Sequence, residues 1–379
     1  MTAVQLENRW SQEQLITGIK LGNWLELLKK NHWKVSPEYY HRLAFISALS
    51  CASSVFSKIE HARYGQQLAD MEINPTPLFI LGHWRTGTTH MHNMLGRDPN
   101  HTFSTLYQVL FPDSFLTTGE WGPKLLSKAV PEKRSYDNVA QNLFESAEDE
   151  IGLMKLTGGL SFYGAIMFPD RAAEYEKYID FLEATPAERR RFKEEFVLFI
   201  KKIMLATGGK RVVVKSCPHS ARIRMILDVF PNAKFIHIHR HPARAFRSMV
   251  HMRKQVDWEN FFHVPSQEFL EQRWDHTATI GHRLYTRLIE DRQLIPTGNL
   301  IEVAYKDLIG NELPILRTIY DQLNLPGWEQ FERVIEPYLA SISGYKTNQL
   351  TMEPELEEYV YNRWRIVYDT YGYKKEYRE

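Results

Sequence analysis

Cysteine is scarce. Only Cys51 and Cys217 occur in 379 residues. Two thiols give no disulfide framework and no Cys-rich zinc site, and a reducing, cytoplasmic setting fits. A charge excess is missing as well: Lys and Arg number 47 against 46 Asp and Glu, a net charge of +1. Binding along nucleic acid usually needs a basic excess, so no nucleic-acid partner is expected, although a local anion pocket is not excluded. Long hydrophobic runs are absent; stretches such as Phe196-Val-Leu-Phe-Ile200 are far short of a membrane span. The N-terminus lacks a charged segment followed by an apolar one, so no secretory signal is expected. What is present is ordinary globular material, 43% hydrophobic and 25% charged. In a chain of this length it can bury a large core without staples.

The first seventy residues read as helical. Ser11-Gln-Glu-Gln14 has capping-box spacing, and Leu15 and Ile19 begin an apolar stripe. Gly22 interrupts the stripe before Trp24, Leu25, Leu27 and Leu28 resume it, and Ser36-Pro37 opens a second helix. Trp10, Trp24 and Trp33 are expected to pack these helices on the core; peripheral membrane contact is the less favoured reading. Ile73-Asn-Pro-Thr-Pro77 then breaks the chain. Four short strands follow, at Leu78–Leu81, Val212–Val214, Phe235–Ile238 and Leu300–Val303. The second and third are joined by one short helix, a βαβ unit that implies a parallel sheet. Thr185-Pro-Ala-Glu188 is a capping box opening a helix that stops near Gly208-Gly209. The expected fold is α/β, a P-loop-like parallel β-sheet flanked by helices. Residues 1–74 form a helical segment packed on the core and 75–379 the α/β domain. Within it, 105–208 is a helical insertion that caps the acceptor side.

The sharpest motif is Gly82-His-Trp-Arg-Thr-Gly87-Thr88-Thr89 between a strand and a helix. Gly-x4-Gly followed by two hydroxyl residues has the shape of a phosphate loop, whose backbone N–H groups and helix start face an anion. The lysine of nucleotide hydrolases is missing, with Thr88 in its place and Arg85 inside the loop. The strand Phe235–His239 leads into Arg240 rather than an Asp for a metal, so ordinary ATP hydrolysis does not fit. A second cationic cluster, Arg240, Arg244, Arg247 and Ser248, surrounds the next strand-to-helix turn. Arg240 and Ser248 can reach one anion at the carboxyl edge of the sheet.

Together these motifs resemble the sulfotransferases that use 3′-phosphoadenosine 5′-phosphosulfate (PAPS), and most of all their bacterial branch. The likeness spans about residues 75 to 310. It implies that the loop, with Arg85, Thr86, Gly87, Thr88 and Thr89, holds the 5′-phosphosulfate. It implies further that Arg240 and Ser248 hold the 3′-phosphate, that Tyr305 of Tyr305-Lys-Asp307-Leu308 lies by the adenine, and that Lys215 is the site lysine. Two departures stand out. Many members carry the catalytic His two residues after that lysine; here the position is Cys217 and the nearest His is His219. The family's C-terminal Arg-Lys-Gly loop is not evident, and Ser343-Gly-Tyr-Lys346 is a weak stand-in.

The expected activity is therefore in-line sulfuryl transfer from PAPS to a hydroxyl or amine, with a general base and no metal. The alternatives are a P-loop kinase or NTPase, or an inactive nucleotide-binding scaffold. Arg85 and Lys215 are placed to stabilise charge. His219 is the expected base, because an imidazole titrates near neutrality; Glu148 and Glu150, in the run Glu148-Asp149-Glu150, are its rivals. His237, His239 and His241 alternate along one strand, a weak pattern for a metal. The acceptor, whether small molecule, lipid or sugar, and the oligomeric state are not written in the sequence.

Overall fold

A computed structural model of the chain describes residues 14–127, 142–342 and 351–376. Ser11, Trp10 and Ser343–Lys346 lie outside these residues. At the centre is β1 (Leu78–Leu81), four apolar residues that are all buried. Parallel neighbours cover both its edges: β3 (Arg211–Lys215) on one side and β4 (Lys234–His239) on the other. Outside these lie β2 (His101–Phe103) and β5 (Leu300–Ala304), giving the order β2-β3-β1-β4-β5, every pair parallel. This is the expected α/β sheet with one more strand. The sequence analysis passed over β2 because His-Thr-Phe is too short and polar to show an apolar run.

The alternation of side chains along a strand divides the core in two. Phe79, Leu81, Val212, Val214 and Phe235 face the larger cluster. Leu78, Ile80, Val213, Ile236 and Ile238 face the smaller one, which is closed by Leu316, Tyr320 and Phe331. Trp24, Leu27 and Leu28 of α1 (Leu21–Lys30) belong to the larger cluster, whereas Trp33 is exposed. The α1 helix starts later than the apolar spacing suggested; residues 15–18 form a turn. Ser36 does not cap its helix. Its hydroxyl accepts from the Val264 N–H at 2.8 Å, and a 3-10 turn, Pro37–Tyr39, precedes α2 (Tyr40–Asp70). The Thr185 capping box does form, opening the helix Pro186–Ala206.

Strand polarity places the site. All five strands point the same way, and β3 and β4 leave in sequence from opposite sides of β1. Their carboxyl ends therefore open a crevice at the switch point, where such sheets bind ligands.

Candidate active site

The chain leaves β1 at Gly82, whose φ of +149° suits glycine. A Cβ there would sit 2.6 Å from the Ile238 carbonyl oxygen, so a side chain would push the loop off β4. Gly87 lies at φ +103° and ends the loop as the cap of α3 (Thr88–Leu95). The first-turn N–H groups of α3 have no partners within the helix and face the crevice. Thr86 is fully buried and donates its hydroxyl to the His83 carbonyl at 2.7 Å, a contact that shapes the loop. Thr88 is buried and Thr89 half-buried at the helix start.

Arg85 holds a left-handed φ of +68°, rare for a side chain with a Cβ. Its Nε donates to Ser248 Oγ at 3.0 Å. Arg240 follows β4 directly and donates from Nη1 to the Arg85 carbonyl at 3.0 Å. Its guanidinium stacks 4.5 Å from the centre of the Tyr305 ring. That ring lies against Gly87, where a Cβ would meet it at 2.5 Å. Burial, followed by the opposing influence of Tyr305 and the repulsion of Arg85, lowers the Arg240 pKa from its ordinary value of 12.5. Cation repulsion of that kind is what an incoming phosphate would relieve. Arg85, Gly87, Arg240, Ser248 and Tyr305, drawn from three separate motifs, thus meet at one edge of the sheet.

Lys215 ends β3, level with Ile80 of β1. Its Nζ donates to Glu148 Oε1 at 2.7 Å. Tyr163 donates its hydroxyl to the other Glu148 oxygen. Burial, reinforced by Glu148, pushes the Tyr163 phenol well above its usual range, so it stays a donor. Cys217 lies 4.0 Å from Glu148 Oε1. Its thiol is pushed well up by burial and then by Glu148, and it also bonds Thr88. Trp84 and Phe162, with ring centres 5.9 Å apart, add an aromatic wall.

The other two acids of the run sit differently. Asp149 accepts from His219 Nε2 at 2.6 Å and from Ser216 Oγ at 2.8 Å. Both partners of the His219–Asp149 pair are buried, with side chains 1% and 2% exposed. Burial raises the Asp149 carboxyl, but His219 and the Ser216 hydroxyl outweigh it and hold the carboxyl below its usual range. The His219 ring packs against Phe79 and Phe196, which also touch each other, and its Nδ1 has no hydrogen-bond partner. Glu150 is sealed in a two-pronged pair with Arg222, at 2.5 and 2.9 Å, and accepts from Ser161 at 2.6 Å. The acidic run is therefore not a solvated helix turn. It meets Lys215, His219 and Arg222 one for one, and only Glu148 reaches solvent appreciably, with a side chain 19% exposed. The spacing 215, 219, 222 opposite three successive acids is the signal that could have announced this. Tyr163 left no such signal.

His237 bonds Glu302 at 2.9 Å and His239 bonds the Tyr373 hydroxyl at 2.9 Å. Among the described residues, no three His, Cys, Asp or Glu side chains could together hold a metal ion.

The comparisons with known proteins now bear on this geometry. The sequence profile of the sulfotransferase family matches residues 77–330. The omega-hydroxy-beta-dihydromenaquinone-9 sulfotransferase Stf3 of Mycobacterium bovis is 33% identical over 370 residues, covering 97% of this chain and 94% of that protein. The protein of the same name from Mycobacterium tuberculosis matches equally. The crystal structure of sulfotransferase STF9 from Mycobacterium avium superposes with a TM-score of 0.70 at 19% identity, covering 91% of this chain and 88% of that one. That of STF1 from Mycobacterium tuberculosis gives 0.63 at 18% identity, covering 91% and 90%. These two likenesses establish the fold; the family rests on the profile and on the long sequence match. By both of those measures the chain belongs to the sulfotransferase family and is an enzyme of sulfuryl transfer.

Proposed function

We propose that this enzyme moves the sulfuryl group of PAPS, in line, to a hydroxyl of a lipid acceptor, with Glu148 as the general base. The observation that carries the base assignment is the contrast within the acidic run: Glu148 alone pairs with the strand-end lysine at the mouth of the crevice, while His219 is buried 2.6 Å from Asp149. A base must come within hydrogen-bond reach of the proton it takes. Glu148 can meet an acceptor hydroxyl; His219 is walled off by Phe79 and Phe196.

The roles follow from placement. Arg240 and Ser248 bind the 3′-phosphate, and the loop from Arg85 to Thr89 binds the 5′-phosphosulfate. The acceptor oxygen forms a bond to sulfur as the bond from sulfur to the phosphate oxygen breaks. Glu148 takes the hydroxyl proton. Lys215, with three N–H donors, can hold Glu148 and still neutralise the oxygen that leaves. Tyr163 keeps the carboxylate oriented. The protein positions the reactants and stabilises moving charge, as in phosphoryl transfer.

A lipid acceptor is supported by the relative that acts on a dihydromenaquinone, which matches this chain from the N-terminal helices onward. The aromatic wall of Trp84, Phe162 and Tyr163 beside Glu148 suits an apolar group. The test is turnover of labelled PAPS with hydroxylated isoprenoid quinones, simple phenols and sugars. Sulfation of the isoprenoid hydroxyl is expected; turnover confined to sugars would overturn the acceptor reading. Activity is expected to survive EDTA, because Arg85, Lys215 and Arg240 supply the positive charge. Loss on chelation and recovery with Mg²⁺ would overturn that scheme.

A further inference from the structure

The α2 helix is built inside out. Its protein-facing side carries Arg42, Ile46, Ser50, Ser53, Glu60 and Leu68, mostly polar. This side is bonded to the body: Arg42 donates to the Phe261 carbonyl at 2.8 Å, the Ser47 hydroxyl accepts from Trp24 Nε1 at 3.0 Å and the Ser54 hydroxyl from the Leu21 N–H at 2.8 Å. Glu60 accepts from the Leu116 and Thr117 N–H groups and pairs with Lys202. The outward side is apolar. Ala44, Ala48, Cys51, Ala52, Val55, Ile59 and Ala62 are all exposed, at helical spacing. Val55 is 58% exposed and Ile59 36%. Phe56 packs against Trp121 at a tilt of 57°, 5.5 Å between ring centres, which extends the stripe to Leu125. Leu125 is 72% exposed. Exposed Trp33 and Tyr40 stand at the other end.

Such a face needs an occupant, since contiguous apolar surface of this kind marks an interaction site. Its shape and charge select one. The stripe from Ala44 to Ala62 is about 27 Å long and about 10 Å wide. No Asp or Glu occurs from Tyr40 to Ile59, whereas Lys58, Arg63 and Lys124 are exposed around the far end. Aromatic side chains at the ends and cations at the rim fit the boundary between acyl chains and anionic headgroups. Among the described residues α2 is also the one helix long and apolar enough, by length and composition, to cross a membrane. The bonds of its polar inner face keep it on the protein, so it would lie in the interface rather than span it.

We propose that the outer face of α2, with Trp121 and Leu125, docks the enzyme onto an anionic lipid bilayer. The proposal rests on the lipid-acceptor reading, because a water-insoluble acceptor must be met where it lies. Ile46, on the inner side of the same helix, belongs to the core cluster that includes Trp84, Phe162 and Tyr163. One packed body thus joins the docking face to the aromatic wall beside Glu148.

The test is flotation of the full-length protein with vesicles of phosphatidylcholine containing phosphatidylglycerol. The native chain is expected to float, and the double variant Val55→Asp/Ile59→Asp to bind at least tenfold less. Both positions are exposed, and circular dichroism melting checks that the variant folds. Should it not fold, brominated acyl chains should quench the tryptophan fluorescence of the native protein, and quench that of Trp121→Phe less. Absence of native flotation, equal flotation of the folded variant, or quenching that Trp121→Phe leaves unchanged overturns the proposal. So does a native dimer in sedimentation equilibrium that the double variant dissolves, which assigns the face to a second copy. The two readings fail separately. Vesicle binding without sulfation of any lipid hydroxyl removes the acceptor reading alone; turnover of a lipid hydroxyl in micelles without vesicle binding removes the docking face alone.

Discussion

Glu148 and Asp149 are neighbours in the chain, and each pairs with a base from the segment that ends β3. Their surroundings differ completely. Glu148 bonds Lys215 at the open mouth of the crevice, with one oxygen toward Tyr163. Asp149 bonds His219 in a closed aromatic box, and Glu150 bonds Arg222 in another buried pair. The difference teaches that exposure, rather than residue type, separates a group available for chemistry from one that holds the fold. An imidazole is intrinsically the better base at neutral pH, so the proposed choice of Glu148 rests on reach and not on basicity.

Four measurements would break or sharpen that contrast. The largest effect should come from Glu148→Gln, which keeps the shape of the side chain and removes its basicity. We expect kcat to fall by roughly 10²–10⁴-fold, the usual contribution of a general base, with PAPS affinity by calorimetry near normal. His219→Gln should keep turnover per folded molecule within about tenfold. If the two variants exchange these outcomes, the proton goes to His219.

The buried pairs should answer in stability. Arg222→Ala leaves the Glu150 carboxylate unpaired in the interior and should cost roughly 3–5 kcal/mol in urea unfolding. A cost near zero would mean that Glu150 rehydrates, and the inside–outside contrast would weaken.

The donor end offers a third measurement. Arg240→Ala should weaken PAPS by roughly 2–4 kcal/mol and weaken adenosine 5′-phosphosulfate, which lacks the 3′-phosphate, far less. Equal losses would remove Arg240 from the 3′-phosphate site.

Acid titration supplies the fourth, in two windows. Burial lowers the pKa of His83 from 6.5 to about 4. The unfolded chain then binds the extra proton first, so the share of stability that depends on His83 should fall from pH 6.5 down to about 4, by about 3 kcal/mol, with His239, His90 and His101, lowered likewise, adding to the same window. His83→Gln should flatten that slope. Asp149 is held below 3.8, so its stabilisation is present above that value. It is lost as pH falls through the lower folded value, and Asp149→Asn should remove that part alone. Calorimetric melting across pH would show both. A single slope untouched by either variant would show that neither group governs acid unfolding.

What the sequence determined by itself is what depends on neighbours along the chain. The apolar strands Leu78–Leu81 and Phe235–Ile238, the glycines at 82 and 87, the Thr185 capping box and the step from Arg240 to Ser248 are local patterns. The sheet and its phosphate-loop-like turn follow from them. The strand His101–Phe103 escaped, because three residues carry no period and only pairing with β3 makes them a strand. The pairing and burial of the acidic run were decided only by tertiary structure. Nothing local tells Glu148 from Asp149; the difference arises because residues 215 to 222 approach from more than sixty positions away and the aromatic box closes over one pair and not the other. The stacking of Arg240 on Tyr305 against Gly87 and the outward apolar face of α2 are of the same kind. Burial belongs to the packed body, and a residue's energy, its reach and its proton follow from burial.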